Sequence, residues 1–258
     1  MLPRGCASCR GWIPRIDERD QAPICARCRS RLRIPGWPRC DRCHAPVGRV
    51  SEVWNGVKRM GCHACGSWPE ALSSARSAFV LAGPGANLVH ALKYEGWHEL
   101  ADFMGERVGH VALHHTLVSP VFATREPGTG SPRPLCVTPV PTTSARERAR
   151  GYNQAALLAR GVAKSVGAPL VHMLERVGGR RSQIRLEPGM RRANVRGAFV
   201  PTPDIAAAAA GEVILVDDVL TTGATAAEAA SVLADHGARS VHLVTFARAL
   251  PNLGSGLC

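Results

Sequence analysis

Eight of the chain's ten cysteines fall before residue 66, and they come as four Cys-x-x-Cys pairs: Cys6/Cys9, Cys25/Cys28, Cys40/Cys43 and Cys62/Cys65. Fifteen residues separate Cys9 from Cys25 and eighteen separate Cys43 from Cys62. Both gaps suit a four-thiolate zinc site. A Cys-x-x-Cys in a tight turn offers two thiolates along one edge of a tetrahedron, and a second such turn supplies the opposite edge. A segment of about 65 residues buries too little apolar surface to hold itself together, so metal is expected to take the place of core. Eight cysteines also suit the disulfide framework of a secreted chain. The start, MLPRGCASC, lacks the basic-then-apolar layout of an export signal, and the metal spacing occurs twice, so two structural Zn2+ sites over residues 1–70 are the expectation. His44 and His63 adjoin cysteines but are read as bystanders, since each site already has four thiolates. Trp12, Trp37, Trp54 and Trp68 flank the pairs, where they would pack small cores or, if exposed, stack on bases. Cys136 sits in an apolar run and reads as a small buried hydrophobe. Cys258 has no sequence partner.

The remainder, residues 71–258, reads as an α/β unit. Strands are expected at 76–82, 135–141, 212–217 and 240–246, and helices at 84–94, 97–115, 153–166 and 224–236. Strands separated by helices argue for a mainly parallel sheet. Residues 123–134 (ATREPGTGSPRP) form a Pro/Gly/Ser stretch without periodicity, a flexible surface connection. No stretch approaches the roughly 20 apolar residues of a membrane span, and a cytoplasmic location is expected.

Charge is unevenly placed. Of the formal net +12, residues 1–72 carry +7 and residues 133–200 carry +10, while 201–258 carry −4. Zinc-tetrathiolate sites would offset the first block by about −2 each, which leaves 133–200 as the strongest basic region. Nearly all of its cations are arginines, whose forked donors suit phosphate oxygens. A polyanionic ligand is expected there.

The most informative segment is Val213-Ile-Leu-Val-Asp-Asp-Val-Leu-Thr-Thr-Gly-Ala-Thr225. Four apolar residues make a central strand, two acids stand at its carboxyl end, and a loop of small residues opens a helix. Ligands bind at that end of α/β strands. Backbone N–H groups at a helix start, with the hydroxyls of Thr221, Thr222 and Thr225, form a phosphate cradle. A plain buried strand followed by a helix cap would account for neither the paired charges nor the run of hydroxyls.

All thirteen positions resemble the signature by which type I phosphoribosyltransferases bind phosphoribosyl pyrophosphate (PRPP). Further blocks extend the likeness: Leu92-Lys-Tyr-Glu-Gly96, Pro139-Val-Pro141, Arg146, Arg150, Gly151-Tyr-Asn-Gln154, Arg181-Ser-Gln-Ile and Asn194. Together with the cysteine array they resemble the ComF family, bacterial proteins with a zinc ribbon ahead of a phosphoribosyltransferase domain and associated with competence for DNA uptake. The implied fold is a type I phosphoribosyltransferase-like, mainly parallel sheet preceded by a double zinc ribbon.

The resemblance implies roles as well. Asp217 and Asp218 would bind the ribose hydroxyls and their Mg2+, and Thr221, Thr222, Gly223, Ala224 and Thr225 the 5′-phosphate. Arg146 and Arg150 would meet pyrophosphate, joined by Arg181 from a closing loop at 176–198 that also holds Arg180 and Arg185. Lys93 and Tyr94 read equally as ligand contacts or core-edge residues. Such chemistry needs charge stabilisation more than a nucleophile, and no Ser-His-Asp or Cys-His set is apparent. Three functions fit: a DNA-uptake factor that binds PRPP and, through ribbon or basic loop, single-stranded DNA; a phosphoribosyltransferase acting on a nitrogen acceptor; or a PRPP sensor without catalysis. The family resemblance favours the first.

Overall fold

The computed structural model describes residues 5–13, 22–47, 52–54, 57–59, 62–118, 134–177, 197–209 and 211–250. Arg180, Arg181, Arg185, Asn194, Cys258 and all of the 123–134 stretch except Pro134 lie outside them.

The centre is a four-stranded, all-parallel sheet in the order β3-β8-β7-β4, formed by Leu72–Val80, Ser240–Arg248, Glu212–Leu220 and Leu135–Pro139 respectively. At its centre β7 carries a continuous apolar run, Val213–Val216, rather than an alternating one, which is what burial on both faces requires. Its side chains divide accordingly. Val213 and Leu215 enter the core layer with α6 (Ala224–Asp235), while Ile214 and Val216 enter the layer with α2 (Pro84–Tyr94), α3 (Leu100–Val118) and α5 (Gln154–Val166). Helix α6 meets its layer with Ala226, Ala229, Ala230 and Leu233, which recur at helical spacing along one stripe. Helices α3 and α5 approach closely because Gly105 faces Gly161, and a Cβ on Gly161 would fall 2.6 Å from the Gly105 carbonyl carbon.

The expected elements are present with shifted ends. Strand β3 starts at Leu72 rather than 76, and β7 and β8 run three and two residues further than the apolar runs suggest. Three pieces are additional: α4 (Ser144–Arg150), the antiparallel pair β5 (Leu174–Arg176) and β6 (Phe199–Pro201), and a 3-10 turn at Pro203–Ala208. Among the described residues no helix is long and apolar enough to cross a membrane.

The cysteine-rich segment joins both core layers. Cys6 and Cys28, with Ile24, belong to the layer of α2 and α3; Cys40, Cys43 and Cys65, with Trp68, belong to the layer of α6. A short helix α1 (Ala26–Ser30) follows Cys25, and β1 (Glu52–Trp54) pairs with β2 (Val57–Arg59) between Cys43 and Cys62. The exposed edge of β3 is covered by this segment: Ala75 N–H donates to the Arg42 carbonyl at 2.9 Å and Val80 N–H to the Arg33 carbonyl at 2.6 Å. Covering an edge strand removes a site for unwanted pairing.

Candidate functional site

The paired cysteines converge as their spacing predicts. Cys6, Cys9, Cys25 and Cys28 form one group and Cys40, Cys43, Cys62 and Cys65 another, with all Sγ atoms of each group within 4.8 Å of one another. Neighbouring sulfurs lie 3.8 Å apart for Cys9–Cys25, 3.7 Å for Cys40–Cys65 and 3.6 Å for Cys62–Cys65. Four sulfurs at about 2.3 Å from a tetrahedral zinc are about 3.8 Å apart, whereas a disulfide needs about 2.05 Å. The donor sets therefore fit Zn2+. In the first group the amides of Cys25 and Cys28 donate to Cys6 Sγ and Cys25 Sγ, each at 3.4 Å, support that favours thiolate. Burial pushes the Cys28 thiol up to about 12; in the second group the hydrogen bond between Cys40 and Cys43 lowers Cys40 and pushes Cys43 up to about 11. Crowded thiols resist joint ionisation until a cation joins them. His44 and His63 are outside both groups.

The second site is a cavity of about 480 Å3 at the carboxyl end of the central strands. Asp217 and Asp218 stand near the carboxyl end of β7, which runs on to Leu220. The Asp218 N–H donates to Asp217 Oδ1 at 2.8 Å, and Asp218 Oδ1 pairs with Lys93 Nζ at 2.9 Å. Burial, and then the negative charge of Asp218, push the Asp217 carboxyl from 3.8 up to about 7. Lys93 arrives from the last turn of α2, whose end is held by the Tyr152 hydroxyl donating to the Leu92 carbonyl at 2.6 Å.

Beyond the acids, the chain turns through Thr221, Thr222 and Gly223 into α6. Gly223, at φ 80°, is the helix cap and has no side-chain oxygen to close the first turn. That leaves helix-start donors for a ligand. Thr221 and Thr225 line the cavity; Thr222, Gly223 and Ala224 do not, and the Thr222 hydroxyl accepts the Ala224 N–H at 3.4 Å.

The arginines come from the facing side. Thr143 caps α4 by accepting the Arg146 N–H at 3.3 Å, and Gly151, at φ 82°, ends it. Asn153 then caps α5 and donates to the Val140 carbonyl at 3.1 Å, which ties the turn to the end of β4. Arg146 and Arg150 both reach the cavity wall. Arg150 is aimed by a 2.9 Å bond to Gln154 Oε1 and stacks 5.1 Å from the Tyr94 ring centre. Sequence reasoning missed Arg176 as a wall residue: it stands on β5, over Phe199, and feels both Arg146 and Asp217. Its one signal was its place at the start of the basic 176–198 stretch. Arg181 lies outside the described residues.

The resulting cavity brings four cationic side chains, Lys93, Arg146, Arg150 and Arg176, together with two carboxylates and a helix start, Lys93 being paired with Asp218. Such a wall suits a ligand with phosphates at one or both ends and hydroxyls between.

A phosphoribosyl transferase domain model matches residues 153–251. Over 237 residues the chain is 30% identical to the DNA utilization protein YhgH of Salmonella typhi, an alignment covering 88% of this chain and 97% of that protein. It is 34% identical over 117 residues to Competence protein F of Haemophilus influenzae, covering 45% of this chain and 51% of that protein. Among solved structures, the glutamine phosphoribosylpyrophosphate amidotransferase from B. subtilis, complexed with ADP and GMP, aligns at 17% identity with a TM-score of 0.33, over 57% of this chain and 26% of its own.

Proposed function

This chain belongs to the ComF family, and we propose that it is a competence-related protein that binds PRPP with Mg2+ in the β7 cavity and single-stranded DNA through its cysteine-rich segment. The observation that carries the PRPP reading is the convergence of Asp217, Asp218, Thr221 and Thr225 with Arg146, Arg150 and Arg176 around one cavity. In this reading the acids take the ribose hydroxyls, the start of α6 takes the 5′-phosphate, and the arginines take the pyrophosphate. The acid pair also fits a divalent cation, because an acid pushed up by burial and a like charge gains most from added positive charge. Asp217 and Asp218 would hold Mg2+ by way of the ribose hydroxyls, and the ion would neutralise charge on the pyrophosphate.

The DNA reading is supported by Trp12 and Trp37, 65% and 75% exposed. The Arg39 guanidinium lies 4.6 Å from the Trp37 ring centre, and Arg27, Arg31 and Arg33 are exposed nearby in sequence. Exposed aromatics among arginines suit stacked bases and a phosphate backbone.

The intact acids and arginines also favour a second reading, transfer of phosphoribose to a nitrogen acceptor. There the arginines would steady the departing pyrophosphate while the acceptor nitrogen bonds to the ribose anomeric carbon. The test is calorimetric titration with PRPP/Mg2+ and with a short single strand, separately and together. Saturable binding of both supports the proposal, and release of pyrophosphate only when a base is added supports transfer. Absence of PRPP binding refutes both.

A further inference from the structure

Trp68 follows Cys65 by three residues, yet its side chain meets a loop far along the chain, at residues 222–223. Its indole N–H donates to the Thr222 carbonyl at 3.1 Å. Its ring lies so close to Gly223 that a Cβ there would sit 2.5 Å from Cζ2 and 2.6 Å from Cε2. Trp68 is itself 8% exposed, and its backbone N–H donates to the Cys65 carbonyl at 3.1 Å. Arg42, between Cys40 and Cys43, donates to the carbonyls of Cys65 at 3.1 Å, Pro69 at 2.6 Å and Leu72 at 2.9 Å. Its guanidinium stacks 5.8 Å from the Trp68 ring centre. Arg248, at the end of β8, donates to the Cys43 carbonyl.

The consequence follows from peptide geometry. The Thr222 carbonyl and the Gly223 N–H share one planar trans peptide and point in opposite directions. A donor that holds the carbonyl toward Trp68 therefore aims the Gly223 N–H the other way. Glycine allows that peptide to turn at low cost, so its orientation needs an outside constraint. The same glycine is required here, since φ is 80° and the indole occupies the space of a Cβ.

We propose that Trp68 is a positioning residue for the phosphate loop, and that through it the second cysteine site and the 221–225 loop are energetically coupled. The inference rests on the reading of that loop as a PRPP phosphate site. Because coupling is reciprocal, metal at Cys40/Cys43/Cys62/Cys65 strengthens PRPP binding, and PRPP slows metal loss from that site. The Cys6/Cys9/Cys25/Cys28 site, packed in the other layer, is not part of the coupling.

The test compares the full zinc-loaded protein with Trp68→Phe, which keeps a ring and removes the N–H. The expected result is an unchanged zinc content, PRPP/Mg2+ affinity lowered about tenfold, as loss of one buried donor implies, and faster hydrogen exchange at the 222–225 amides. PRPP should also slow zinc transfer to a chelator for one of the two zinc ions in the unaltered protein and for neither in Trp68→Phe. In the unaltered protein, stripping the more PRPP-sensitive zinc should by itself speed exchange at 222–225. Equal affinity and equal exchange in the two proteins would overturn the proposal. If the unaltered protein binds no PRPP, the site reading fails on its own account. The ligand-free exchange comparison then still decides whether Trp68 orders the loop: faster exchange in Trp68→Phe supports that, and equal exchange overturns it.

Discussion

Replacing Asp217 by Asn should stabilise the ligand-free protein, and by an amount that depends on pH. The Asp217 carboxyl is pushed from 3.8 up to about 7 by burial and by Asp218. A raised acid lowers stability wherever the unfolded chain has lost its proton and the folded chain resists losing it. That penalty is absent well below pH 3.8, grows as pH rises toward 7, and is constant above. At about 1.4 kcal/mol per unit, the full shift corresponds to about 4 kcal/mol above pH 7. Asn mimics the protonated acid, and its Oδ1 can still accept the Asp218 N–H now bound by Asp217. The stabilisation by Asp217→Asn should therefore increase by about 2 kcal/mol between pH 5.5 and 7.5. For a chain of this size that widens the melting-temperature gap by about 4–8 °C. Thermal unfolding of both proteins at matched zinc loading and several pH values measures it. Taking the difference between variant and parent cancels zinc loss, which affects both. A gap that does not change with pH, or a variant less stable than its parent at pH 8, would refute the reasoning. The same variant should lose PRPP binding, so that stability and function trade against each other at this residue.

Removing the ammonium in Lys93→Met leaves Asp218, 5% exposed, without its 2.9 Å partner, and should cost about 2 kcal/mol at pH 8 in denaturant unfolding. Gly161→Ala forces a Cβ to within 2.6 Å of the Gly105 backbone; it should destabilise by about 2–3 kcal/mol through separation of α3 from α5, with zinc content unchanged. Trp37→Ala should weaken retardation of single strands by about 1–3 kcal/mol without altering PRPP affinity, and what remains should fall with added salt.

The parts of the fold that could be read in advance are those where local pattern and burial agree. Four successive apolar residues ending in two acids and a Thr/Gly turn specify β7 and the start of α6, because a strand buried on both faces has few other forms. The cysteine groups were legible for a similar reason: ligand spacing within each pair is a local constraint. Other features left no such trace. Helix α4, SARERAR, buries no residue, so it has no apolar period to detect. Strands β5 and β6 are three residues each and come together across more than twenty residues, which no short window can show. Arg176 reaches the cavity only because that pairing forms. Lys93 meets Asp218, and Trp68 meets Thr222, across more than a hundred residues of chain; both contacts exist only after the sheet has assembled. The docking of the two cysteine groups on opposite faces is likewise a property of the assembled sheet, and spacing alone suggested only a module placed ahead of it.

The central claim is that the β7 cavity holds PRPP at both of its phosphate ends. Phosphorus NMR of PRPP with Mg2+ and the zinc-loaded protein tests it most directly. The 5′-phosphate should report the start of α6, and the two pyrophosphate resonances should report Arg146, Arg150 and Arg176. All three resonances should broaden or shift on adding the protein and recover with Asp217→Asn. Resonances that stay unperturbed by the unaltered protein, or that respond equally with Asp217→Asn, would contradict the account.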